Sequence, residues 1–190
     1  METIRAIKNR RSIRKFKDDD IYKEQINKIL DCGRLAPSAK NRQPCFFVVL
    51  TNKNKINDIA DLMILNHSKE DDSYSENVLK SFNSVLATAN VIKMAPVLIF
   101  IYQKDDENWT VGDTLSIGAC IENMCLCACD LGLGSLWIRD IVYAQKEIMD
   151  YLKIGKEGYE LNSALCIGVT DESPIARSKN ELDDISIWIN

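Results

Sequence analysis

The sequence predicts an α+β fold, read as one domain over residues 1–190, and three observations predict it. Stretches with apolar residues at helical spacing alternate with short, nearly continuous apolar runs of strand length. The chain has 190 residues, enough for one substantial core and too few for two. Its hydrophobic content of 46% suits a packed globular protein rather than a disordered one.

Taken in order, residues 2–10 read as a short helix that ends at a basic cluster. Residues 20–35 place Ile21, Ile26, Ile29, Leu30 and Leu35 at roughly helical spacing, until Ala36-Pro37-Ser38 breaks the pattern. Cys45 to Thr51 reads as a buried strand and residues 53–65 as a helix. Residues 66–93 begin polar and become helix-like, and a mobile lid is expected there. Pro96 to Tyr102 reads as a second buried strand. Residues 110–131 form the longest helix, apolar or small nearly all round, so it should be buried on most sides. Gly132 stands where a helix C-cap belongs. Ser135 to Ile138 is a strand, 144–152 a helix, and Leu161 to Val169 a strand. The tail is polar until Ile185-Ser186-Ile187-Trp188-Ile189, an apolar stretch expected to pack on something, with a second subunit as one candidate.

Composition removes several functions. A net charge of −4 offers no general attraction for nucleic acid or an anionic membrane, so any anion site must be a local basic cluster. The N-terminus is charged at once, and the apolar run from Ala95 to Tyr102 is far too short to span a bilayer. A cytoplasmic protein with no membrane partner is expected, its seven cysteines reduced; the acceptor-like Asn66-His67-Ser68 and Asn108-Trp109-Thr110 are then chance matches. His67 is the only histidine, which speaks against Ser-His-Asp or Cys-His catalysis and excludes a histidine-rich metal site. Cys125, Cys127 and Cys129 alternate within a helix, where residues two apart point to different sides; they read as buried small hydrophobes, and no metal is expected. Gly132-Leu133-Gly134 lacks the third glycine of a dinucleotide fingerprint, since Trp137 stands there, and it follows a helix rather than a strand.

Four segments carry candidate chemistry. Arg10-Arg11-Ser12-Ile13-Arg14-Lys15-Phe16 could clamp a phosphate, because guanidinium forks match phosphate oxygens; a solvated basic patch is the competing reading. Ala36-Pro37-Ser38-Ala39-Lys40-Asn41-Arg42-Gln43-Pro44 could present fixed donors and acceptors to a heterocycle, or be an ordinary helix-to-strand connection. The third is Leu131 to Asp140, containing Trp137, Ile138 and Arg139, and the fourth is Ala176 to Leu182, containing Arg177 and Lys179.

In this order and spacing, from Ile7 to Leu182, the four segments resemble the FMN-dependent nitroreductases. The resemblance implies a central, mostly antiparallel sheet flanked by helices, in an intertwined homodimer with two FMN molecules at the interface. It implies that Arg10, Arg11, Ser12 and Arg14 hold the FMN phosphate and part of the ring, and that Arg177 and Lys179 complete the phosphate site. Pro37, Ser38, Ala39 and Asn41 should reach the flavin, partly from the second chain, and Trp137, Ile138 and Arg139 should lie beside the ring. Asp113, Glu122 and Asn123 fall on the helix that resembles the family's dimer core. Three positions depart from the pattern: Cys45 follows Pro44 where tryptophan is usual, Arg139-Asp140 stands where glycine is common, and Lys179 replaces arginine.

By the same resemblance, NADH or NADPH donates hydride to flavin N5, and a small organic acceptor (nitroaromatic, quinone or flavin) takes it in a ping-pong cycle. Such chemistry belongs to the cofactor, so no side chain is nominated as catalytic. The alternatives are a flavin-binding storage or sensor protein without efficient turnover, or a specialised member of the fold such as a dehalogenase.

Overall fold

The apolar runs form the strands of one sheet. A computed structural model describes residues 2–67, 76–154 and 156–189. Among them, β1 (Cys45–Leu50), β2 (Val97–Lys104), β3 (Gly134–Ile138) and β4 (Tyr159–Gly168) make one sheet in the order β1-β2-β4-β3. The three pairings are antiparallel, with a register shift at Ile101/Tyr102. Successive side chains of a strand point to opposite faces. On β2, Leu98, Phe100 and Tyr102 therefore enter one core, while Val97, Ile99 and Ile101 enter the other. A strand feeding two cores needs an apolar residue at every position, and so its sequence lacks alternation.

Six α-helices are described. α1 (Thr3–Asn9), α2 (Lys23–Arg34) and α5 (Thr110–Asp130) lie to one side; α3 (Lys53–His67), α4 (Glu76–Met94) and α6 (Gln145–Leu152) lie to the other. Ile26 and Ile29 of α2 meet Ile117, Ile121 and Met124 of α5 over one sheet face. Ile56, Ile59 and Met63 of α3 meet Val85, Ala89 and Ile92 of α4 over the other. Over residues 83–93 this departs from the lid expected for 66–93. From Glu76 onward the segment is a helix, and its second half is tied into the core by buried aliphatic side chains. Residues 68–75 of that expectation lie outside the described residues.

The other boundaries agree to within a few residues, with α2 starting later than expected, at Lys23. Gly132 has φ 75° and closes α5 as expected. The Gly132 N–H donates to the Cys129 carbonyl (3.1 Å) and the Leu133 N–H to the Ala128 carbonyl (2.8 Å), the double bond of a left-handed helix terminus.

Candidate functional site

The basic segment is laid down by backbone bonding. After α1 the chain runs beside β3 and β4: the Ile13 N–H donates to Ser135 O (2.9 Å), Lys17 N–H to Val169 O (2.9 Å), and Asp171 N–H to Lys15 O (2.9 Å). Ile13 and Phe16 point into the core, which leaves Ser12 and Arg14 exposed on the opposite side. The Glu172 carboxylate accepts the backbone N–H groups of Arg14 and Lys15.

A cavity of about 400 Å³ opens here, lined by Arg10, Ser12, Glu122, Cys125, Ser135, Trp137 and Arg139. A neighbouring cavity of about 350 Å³ shares Arg10 and Ser135 with it and adds Arg11 and Ser173. Arg10 is oriented by Glu122, its Nε donating to Oε1 at 2.9 Å. Arg11 bends back to the carbonyls of Lys8 and Arg10 (2.7 Å each). Trp137 alternates outward on β3, is 46% exposed, and brings the edge of its ring near Gly118 of α5. Ile138 points the other way and is buried in the core. Arg139 donates to the Asn162 carbonyl (2.7 Å). Burial pushes the Cys125 thiol up to about 11, against a Ser135 hydrogen bond that lowers it, so it stays protonated at neutral pH.

The proline loop is a second, separate constellation. Ala39 approaches Gly112 in the first turn of α5, whereas Glu122 and Cys125 stand beside the cavity further along that helix. At 1.5 Å per residue, Gly112 and Glu122 are roughly 15 Å apart. Pro37, Ser38, Ala39 and Asn41 are therefore not brought to the Arg10 cavity of their own chain. In the loop Lys40, Asn41 and Gln43 have φ of 50°, 55° and 49°, a left-handed conformation costing non-glycine residues about 1–2 kcal/mol each. Arg177 and Lys179 also stay apart from both cavity linings, on an exposed stretch.

Sequence reasoning missed Glu122, Cys125 and Ser135 as cavity walls. Their i, i+3 spacing puts Glu122 and Cys125 on one helix face, but nothing local says that this face looks onto β3. The alternating cysteines do diverge: Cys125 turns to Ser135, and Cys127 to Cys32 on α2. Among the described residues, no helix is long and apolar enough to cross a membrane.

An antiparallel sheet between helical layers, with a cavity lined by Arg10, Arg139 and Trp137 among others, defines an α+β protein. The chain belongs to the nitroreductase family, whose model matches residues 7–169. That match stops short of Arg177 and Lys179. The fold is similar to that of a BluB-like flavoprotein from Clostridium difficile (TM-score 0.90, 29% identity, all of both chains). It is also similar to an FMN-bound nitroreductase from Bacteroides fragilis (TM-score 0.82, 23% identity, all of both chains). A protein of Archaeoglobus fulgidus, provisionally named an NADH dehydrogenase/NAD(P)H nitroreductase, is 30% identical over 80% of this chain and 74% of its own. A namesake from Methanothermobacter thermautotrophicus is 30% identical over 72% of this chain, and the match spans 60% of that relative's length.

Proposed function

We propose that the protein is an FMN-dependent oxidoreductase, working as a homodimer, that passes hydride from NADH or NADPH to a small organic acceptor such as a nitroaromatic, a quinone or a free flavin. The observation that carries this is the convergence of Arg10, Ser12 and Trp137 on one cavity: charge-assisted donors for a phosphate beside an aromatic face for a ring. Family membership supports the same reading. FMN, when bound, supplies the hydride chemistry.

The residues present fit such a group. Arg10, held by Glu122 through Nε, keeps its remaining guanidinium donors for phosphate oxygens, and the Ser12 hydroxyl adds a neutral donor. Arg11 and Arg14 add positive potential, and Arg177 with Lys179, apart from the cavity in the single chain, are the tail's candidate donors to the phosphate. Trp137, Ile138 and Arg139 form the wall beside the ring, with Ile138 acting through its backbone because its side chain is buried. The loop of Pro37, Ser38, Ala39 and Asn41 is too far from the cavity of its own chain, so it serves the site of the second subunit. One open face receives donor and acceptor in turn, which predicts ping-pong kinetics.

Purified protein tests this directly. It should be yellow, release FMN and not FAD on denaturation, and oxidise NADH or NADPH faster when a nitroaromatic or quinone is added. Bound FMN without turnover would instead indicate a storage or sensor protein. A colourless protein that cannot be reconstituted with FMN would sink the proposal.

A further inference from the structure

Buried in the first turn of α5, Asp113 is 0% exposed, and its charge is answered by Arg42. The Arg42 Nε donates to Asp113 Oδ1 at 3.0 Å and Nη2 to Oδ2 at 3.0 Å, a two-pronged pair. Nη2 also donates to Asp106 (2.8 Å), and the guanidinium lies over the Trp109 ring, 4.6 Å from its centre. The Asp113 hydrogen bond, reinforced by Asp106, holds the Arg42 pKa above its ordinary value, so the charge is permanent.

Arg42 sits in the middle of the strained loop, between the left-handed Asn41 and Gln43. The loop's internal bonds are few: Ser38 Oγ accepts from the Gln43 N–H (3.0 Å), and two backbone bonds close the turn. They cannot by themselves hold three left-handed side-chain-bearing residues, because such strain persists only where the surroundings over-determine it. Arg42 supplies that determination by fixing the loop to α5. Asn41 is left exposed in the single chain, and Lys40, also exposed, lays its ammonium over the Trp109 ring, 5.1 Å from its centre.

We propose that Arg42 is a positioning residue: its pair with Asp113 sets the loop in the conformation in which Ser38 and Asn41 meet a flavin. The inference rests on the FMN reading above. Its competitor is an ion pair that only staples the loop's following strand to α5.

The test compares wild type, Arg10→Ala, Arg42→Gln, Asp113→Asn and the double variant Arg42→Gln/Asp113→Asn. The double variant removes the fully buried Asp113 charge together with Arg42 and leaves only the partly exposed Asp106 without its partner, a smaller penalty than a single variant that strands Asp113. Free FMN is titrated well below each melting temperature, and visible circular dichroism is recorded at FMN saturation. The double variant should weaken FMN binding at least tenfold and change the dichroism of the bound flavin. Wild-type affinity and dichroism in a double variant with a lowered melting temperature would overturn the proposal in favour of the staple. If wild type binds, Arg10→Ala does not, and the double variant binds like wild type, only the positioning role falls. If wild type itself takes up no FMN, both readings fall.

Discussion

At the residue scale, the phosphate assignment rests on charges spread over two distant segments. Arg10 lines the cavity, while Lys179 sits on the exposed tail. Arg10→Ala together with Lys179→Ala should lose flavin without unfolding, each lost charge-assisted bond weakening binding by about 1.5–3 kcal/mol. Flavin titration and thermal melting check this; unchanged affinity would return the cluster to a solvated basic patch. Tyr102 poses a different question. Its side chain is buried in the core beside Phe46, yet its hydroxyl has no hydrogen-bond partner among the described residues. Burial also pushes its pKa up. An unsatisfied buried hydroxyl costs about 1–3 kcal/mol. Tyr102→Phe should therefore raise the urea midpoint, and a clear fall would mean that the hydroxyl has a partner in the protein in solution.

At the element scale, the basic segment lies where it does because β3 begins and β4 ends with glycine. Gly134 of β3 pairs with Gly168 of β4, and the 12–16 segment crosses over both. A side chain begun at Gly134 would meet Ile13 at 2.9 Å. One begun at Gly168 would meet the Phe16 ring at 2.7 Å and the Pro96 ring at 2.8 Å. Both rings are rigid and packed, so Gly168→Ala should cost roughly 1–3 kcal/mol through overpacking. Gly134→Ala should cost a similar amount, because the contacts include Ile13 Cβ itself at 3.0 Å and a β-branched side chain cannot swing its own base away, and it should also weaken FMN binding by displacing Ile13 and with it Ser12. Paired measurement of unfolding midpoint and FMN affinity separates the effects. A tolerant Gly168→Ala would show that the segment is not tightly laid.

At the scale of the whole molecule, one chain leaves a large apolar surface uncovered. Val111 and Leu115 of α5 are 75% and 71% exposed, and Ile187, Trp188 and Ile189 of the tail are at least 83% exposed. The tail does not fold back on its own chain. Patches of this kind on a folded chain mark an interface, and a two-fold axis would set α5 against its own copy. Dimerisation should be required for activity, and truncation before Ile185 should weaken both association and flavin retention. Light scattering across a dilution series, read beside flavin fluorescence, checks this. A monomer that keeps FMN and turns over normally would show that the loop of Pro37 to Asn41 serves no second subunit.

By itself the sequence determined the elements and the chemistry on offer. Helical spacing and unbroken apolar runs located the helices and strands, because burial on one stripe or on two faces writes itself into local pattern. The basic segment, the proline loop and the indole were legible for the same local reason, and their order carried the family. Only the tertiary structure decided how they are shared out. It put Glu122 and Cys125 of α5 opposite β3, it placed the proline loop roughly 15 Å along the same helix from the cavity, and it joined Arg42 to Asp113 across 71 residues. It also drew the second half of the expected lid into the core as α4. Such pairings depend on how helices stack over the sheet, and no stretch of sequence encodes the neighbour that it will meet.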